Sequence, residues 1–254
     1  MHDGRGPRRL LSLAVVGIAL GAGVPAAGRP RADAEALMAR TKAMYAALQS
    51  YADTGMVEHE FGTHSAPARE RHSFTTAYRA PRHLRFDYTT HRAIDRFVLW
   101  GDDESFYTWW RRGGTRQTFP KGRGAGAFTA LTAQTRHAVV QIPSLLFHQA
   151  GLAGTVTELG ELSLAGQESI GGRPCYRITG VAKSVYGTGY ETNVRKTTIW
   201  IDVATMAIRK IVEETHQGAA AGSLNRLTTS FEPRLNPALE DSQFAFVPPT
   251  EGTR

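Results

Sequence analysis

The chain has 254 residues, a formal charge of +7 and a hydrophobic share of 41%. That share supplies a sizeable core and excludes a chain that stays unfolded, and the length fits one β-rich domain or two small ones. The lone cysteine, Cys175, excludes an intramolecular disulfide.

Residues 1–27 read as an export signal. Arg5, Arg8 and Arg9 form a basic start and Leu10–Leu20 an apolar run. A small-residue stretch, Gly21–Gly28, then offers a cleavage point near Val24-Pro25-Ala26. The run is too short, and too broken by glycine, for a spanning helix, and Arg8-Arg9 matches twin-arginine export poorly. Removing these residues takes away three arginines and one aspartate and lowers the charge to +5, a modest excess that reads as a mildly basic solvated face. Cys175 lies far from the signal, so the cysteine of a lipoprotein is missing, and the thiol reads as a small buried hydrophobe on a strand. The expected mature chain, 28–254, is a single periplasmic domain.

Asp33–Ser50 is the clearest helix. Asp33 suits its cap, and Leu37, Thr41, Met44 and Leu48 recur at helical spacing, with Met38 and Tyr45 widening the stripe. Strand signals follow in close order. In Met56–Phe61, Val57, His59 and Phe61 share a face; His72, Phe74, Thr76 and Tyr78 share the next, and Leu84, Phe86 and Tyr88 the one after Pro81. Ile94–Trp100 and Glu104–Trp110 are divided by Gly101-Asp102-Asp103, a hairpin turn. The glycine-rich Lys121–Gly126 then interrupts the strands. Short helical pieces follow at Ala127–Thr135 and Pro143–Ala150, with Pro143 in a first turn and Gly151 past the end. Strands resume near Thr155–Leu164, Pro174–Val181, Val194–Asp202, Met206–Thr215 and Leu224–Phe231, and Val203-Ala204-Thr205 makes a hairpin turn. Strands so closely spaced form antiparallel meanders. Without an internal repeat or polar linker, the order predicts one α+β domain, a curved antiparallel sheet with its helices gathered on one face.

The last stretch, Phe231–Pro249, is the most informative. Pro233, Pro237, Pro248 and Pro249 bar a helix or central strand, Asn236-Pro237 opens a turn, and Phe244 and Phe246 alternate as anchors for an open sheet. Its string, FEPRLNPALEDSQFAFVPP, resembles the closing segment of a family of uncharacterised periplasmic proteins. That family lies within the outer-membrane lipoprotein carrier (LolA/LolB-like) superfamily. Tyr45–Val57 (YAALQSYADTGMV), Ala80–Tyr88 (APRHLRFDY), Gly172–Ile178 (GRPCYRI) and Thr198–Ile211 (TIWIDVATMAIRKI) are similar to further pieces of the same superfamily. Together they cover most of the mature chain. The resemblance implies an unclosed β half-barrel covered on its concave side by helices, with a cavity for acyl chains or other hydrophobic ligands. Relatives ferry lipoproteins across the periplasm, bind lipids or sense mislocalised lipoproteins. It carries over scaffold positions and no ligand-specific residue. The Pro120–Gly126 insert and the Trp109-Trp110 pair are departures from the lipoprotein carrier.

Signatures of chemistry are sparse. His59 and His64 have the wrong spacing for a metal pair on one helical face, would point to opposite faces of a strand, and read as surface histidines. The easily recognised serine-hydrolase motifs are missing. Glu213-Glu214 would point to opposite faces of a strand and read as solvated charges. Gly122-Arg123-Gly124-Ala125-Gly126 could form an anion nest, but it lacks a phosphate loop's strand-to-helix setting and reads as a hinge. Export argues against nucleic acid as partner of Trp109-Trp110-Arg111-Arg112.

The expected function is therefore non-enzymatic binding of a hydrophobic ligand (an acyl chain, a lipid or a lipoprotein's lipid moiety) by a monomer needing no cofactor and no metal. Phe128, Leu131, Leu145, Leu146 and Phe147 would cover the sheet as a lid hinged at Lys121–Gly126, and Trp100, Trp109 and Trp200 would line its concave side. The same residues can instead make a dry core, and only a cavity separates the two. The alternative is an interaction or sensory protein that presents Trp109-Trp110-Arg111-Arg112 to another envelope protein. An enzyme is the third reading, requiring polar groups that converge only in the fold.

Overall fold

The computed structural model describes residues 29–91, 95–101, 105–113, 115–122, 125–147, 152, 154–182, 195–215 and 223–249. The signal-like residues 1–27, the Asp102-Asp103 turn and Gly151 lie outside the described residues.

Helix α1 spans Arg29–Ala46. It begins before Asp33 because Pro30, with its fixed φ and no N–H to leave unpaired, suits a first helical turn. It ends before Ser50 because the backbone N–H groups of Gln49 and Ser50 both donate to Asn236 Oδ1, at 2.9 and 3.3 Å. The tail that the sequence marked as an anchor thus sets where the first helix stops.

A first antiparallel meander follows: β1 (Ser50–Thr63), β2 (Ala66–Arg79), β3 (His83–Thr89), β4 (Arg96–Gly101), β5 (Phe106–Arg112) and β6 (Thr115–Gly122). Three short helices, α2 (Ala125–Thr132), α3 (Ala138–Gln141) and α4 (Pro143–Leu146), carry the chain onward. A second meander returns through β7 (Leu159–Ile170), β8 (Arg173–Ala182), β9 (Arg195–Asp202), β10 (Ile208–Thr215) and β11 (Ser223–Phe231). Strand β11 pairs antiparallel with β1, so the sheet runs β6-β5-β4-β3-β2-β1-β11-β10-β9-β8-β7, and the two-residue β12 (Arg234–Leu235) pairs with the start of β1. The edge strands β6 and β7 do not meet. The fold is an α+β, unclosed antiparallel half-barrel.

Alternation in the strands builds one dominant core. Val57, Phe74, Tyr78, Leu84, Phe86, Tyr88, Phe97 and Leu99 from the first meander and Ile178, Ile199, Ile201 and Ile211 from the second share it with α1 and the crossover helices. Gly55 has a specific place here, because a Cβ on it would collide with the Phe74 ring. At the β9–β10 turn, Asp202 Oδ1 accepts the N–H groups of Ala204 and Thr205, each at 3.0 Å.

Three local expectations need correction. Thr115–Gly122 is a strand, so Lys121 and Gly122 belong to the sheet and not to a hinge; pairing with β5 overrides a poor local strand signal. Residues before Leu159 make turns, and β7 runs on to Ile170. Between the two helical pieces read from the sequence lies an additional short helix, α3, and the left-handed backbones of Arg136 (φ 50) and His137 (φ 67) in the turn after α2 lead into it.

Candidate functional site

Strand alternation decides which aromatic residues meet the helices. Phe106 faces inward and packs edge-on against Phe128 at 5.1 Å and Phe147 at 5.6 Å, while Tyr78 meets Phe147 at 5.2 Å. Phe128, Leu131, Leu145, Leu146 and Phe147 all sit in this inner core at 2–7% exposure.

The three tryptophans expected on the concave side lie on the other face. On β4, Phe97 and Leu99 point inward, so Val98 between them and Trp100 after them point out. The Trp100 ring stacks on Tyr107, and Phe246 from the tail covers both Trp100 (4.8 Å) and Trp109 (5.5 Å). Trp200 alternates with the inward Ile199 and Ile201 and joins Cys175 and Val212 in a small outer cluster, with its indole N–H donating to Glu168 at 2.9 Å. Cys175 is fully buried there, and burial pushes its thiol pKa up. Trp110 is the tryptophan that packs against the inner core. Trp109 and Trp110 therefore serve opposite faces and cannot form one contact patch with Arg111 and Arg112.

Two adjoining cavities open where the α2–α3 turn meets the first meander. The larger is a cleft of about 620 Å³ lined by Glu70, His72, His91, Asp95, Phe97, Arg112, Gln134 and Arg136 among others. The smaller is an apolar crevice of about 120 Å³ between α2 and β5, lined by Thr108, Trp110, Ala130, Leu131 and Gln134. Gln134 walls both, and Phe97 of the cleft stacks on Trp110 of the crevice at 6.2 Å. The inner face beneath is polar. His59, only 9% exposed, hydrogen-bonds Asn225 Oδ1 at 2.9 Å through Nε2, so it is not the surface histidine expected. Next to it, His72 stacks on the buried Tyr88 at 5.6 Å. Burial pushes both imidazole pKa values down.

A second polar cluster lies under the crossover. Glu213 points inward with Ile211 while Glu214 points out to Arg226, so the pair divides between faces as read, yet Glu213 is 1% exposed and not solvated. Its carboxylate accepts from Thr155 Oγ1 at 2.7 Å and Gln141 Nε2 at 3.0 Å, with Arg195 Nη1 at 3.2 Å and His137 Nδ1 at 3.5 Å. Burial alone would push the Glu213 pKa up. The His137 contact, the Arg195 charge and the Thr155 hydrogen bond outweigh it and hold the carboxyl below its ordinary value. Sheet alternation could have marked Glu213 as inward-facing; Thr155, Gln141 and His137 come from the crossover, and sequence spacing gives no sign of them.

No family model matches this chain, and no curated protein matches it. Solved structures do. LprF from Mycobacterium bovis is 11% identical over 83% of this chain and 96% of its own, with a TM-score of 0.49. The Mycobacterium tuberculosis lipoprotein LppX is 15% identical over 81% and 98%, at 0.46. A LolA superfamily protein, NE2245 from Nitrosomonas europaea, is 10% identical over 84% and 97%, at 0.32. These are likenesses of chain path, and they assign no ligand.

Proposed function

We propose that this protein binds an apolar chain, an acyl chain or the lipid moiety of a lipoprotein, between its crossover helices and the inner face of the sheet. It carries that chain without covalent chemistry. The observation that supports this is the apolar crevice between α2 and β5, which adjoins a larger polar cleft through Gln134. An amphiphile needs that pairing, a dry slot beside a wet chamber. The crevice of about 120 Å³ takes only the first carbons of a long chain, so full uptake requires α2 to lift and Phe128 and Leu131 to exchange partners. Each buried methylene contributes about 0.8 kcal/mol, so roughly ten supply about 8 kcal/mol before the costs of ordering. Side chains without a polar motif are sufficient for useful affinity. The leader-like residues Leu10–Leu20 favour the periplasm as the setting.

Native mass spectrometry of protein purified from cells, followed by titration of the delipidated protein with a fluorescent fatty acid, tests the reading. Co-purified lipid, or saturable uptake of the probe, is expected. Lipid-free protein that also ignores the probe would sink it.

A further inference from the structure

The cleft has a chemistry more specific than wet. His72 lines the cleft with its Nε2 buried, and beneath it the ring of Tyr88 stacks on His72, its buried hydroxyl without a hydrogen-bond partner among the described residues. The backbone N–H of His91 donates to His72 Nδ1 at 3.3 Å, so in the neutral ring the proton sits on Nε2 and that atom is a donor. The oxygen it faces belongs to Glu70, at 3.5 Å, and Arg136 Nη2 reaches the same oxygen at 3.4 Å. Both distances exceed the 2.7–2.9 Å typical of charge-assisted bonds. Glu70 is 41% exposed at its side chain, so it can swing into water at little cost. Arg112 lines the cleft from the side of β5, and Asp95, whose Oδ1 accepts the Gly113 N–H at 3.0 Å, lines it as well.

We propose that this cleft is a carboxylate site for the head of a long-chain fatty acid, and that Glu70 is an internal carboxylate in the place the head would take. The incoming carboxylate accepts from His72 Nε2–H and Arg136, and Glu70 turns out to solvent. With Glu70 turned out, Arg112 and Arg136 face one remaining carboxylate, Asp95, so a singly charged head balances the cleft and a phosphate carrying up to two charges would overshoot it. The first carbons then pass the stacked Phe97 and Trp110 and enter the crevice at Leu131. Gln134 stands where head and tail meet, and its amide can present either its oxygen or its NH₂ group.

This rests on the apolar-chain reading above, and one experiment separates the two. Delipidated protein is titrated with palmitate and with methyl palmitate, which has the same chain and no charge. Palmitate is expected to bind about tenfold tighter, the worth of one charge-assisted contact. Arg136→Gln should close that gap. Glu70→Gln should widen it, because the competing carboxylate is gone; a merely structural Glu70 would not produce a gain. Melting curves establish that each variant is folded, and the wild-type comparison needs no variant. Equal binding of the two ligands, or weaker palmitate binding by Glu70→Gln, overturns the carboxylate site while the apolar-chain reading stands. Binding of neither overturns both.

Discussion

Arg136 and His137 are neighbours in the chain, and their side chains reach carboxylates on different halves of the sheet. Arg136 Nη2 lies 3.4 Å from Glu70 on β2, and His137 Nδ1 lies 3.5 Å from Glu213 on β10. Both residues have left-handed backbones, at φ 50 and 67, a conformation that costs about 1–2 kcal/mol for a residue with a Cβ. The turn between α2 and α3 is thus held in place by the two meanders at once. It forms one wall of the cleft while fastening the crossover to the strands on the far side.

Removing Glu213 should therefore loosen the crossover. Glu213→Ala leaves Arg195 buried without its carboxylate, and the expected loss is about 3–5 kcal/mol, read as a lower urea midpoint. Because the folded pKa is depressed, the stability Glu213 provides is present above its unfolded value of about 4.3 and disappears as pH falls through the folded one. A loss no greater than that of the exposed Glu214→Ala would show the cluster to be energetically idle.

Asp53 predicts the opposite pH trend. It is buried beside Tyr51, whose hydroxyl donates to it at 2.7 Å, and burial pushes its pKa up to about 6. The folded state then holds a proton that the unfolded state has released between pH 4 and 6. Stability falls as pH rises through that window, by about 3 kcal/mol in total. Asp53→Asn should flatten this slope and raise the melting point at pH 8; a lower melting point there would contradict it.

The tail should be stability-bearing through a single turn. Asn236 has a left-handed backbone (φ 50), and its side-chain Oδ1 accepts from the backbone N–H groups of Gln49 and Ser50, while the Ser50 hydroxyl donates to Pro237 O at 2.6 Å. Asn236→Gly loses the side-chain bonds but keeps the conformation, whereas Asn236→Ala also pays for the left-handed backbone. Alanine should be worse than glycine by about 1 kcal/mol in thermal melts. Equal losses would mean the backbone relaxes at no cost.

The lid has its own test. Thr108 and Leu131 line the crevice from opposite walls, so cysteines at both positions, joined by a reducible thiol cross-linker, should tie α2 to β5. Cys175 lies in the outer-face cluster with Trp200 and Val212, away from the crevice, and with its raised thiol pKa should not compete for the reagent. Exchange of a bound fluorescent fatty acid should slow when the link forms and recover on reduction. Unchanged exchange with the link fully formed rules out this lid.

The sequence alone determined the architecture, because period-2 and period-3.6 patterns are local. Phe74 with Tyr78, Leu84 with Phe86 and Tyr88, and the α1 stripe of Leu37, Thr41 and Leu48 all face the interior as their spacing requires. The Asn236-Pro237 turn was equally legible, since its chemistry is contained in neighbouring residues. Absolute facing was not. Alternation shows that Trp100 and Leu99 differ in side, but only packing against α2 and Phe246 decides which side is inner. Burial was likewise hidden for Glu213 and His59, whose partners, Thr155 and Asn225, are 58 and 166 residues away in the chain. The cleft itself exists only in three dimensions. Glu70 and Arg136 are separated by 66 residues and by the whole outer half of the first meander, and a left-handed turn after α2 brings them together. A carboxylate's neighbours, and hence its charge state and use, are set by the path of the chain, which no local pattern records.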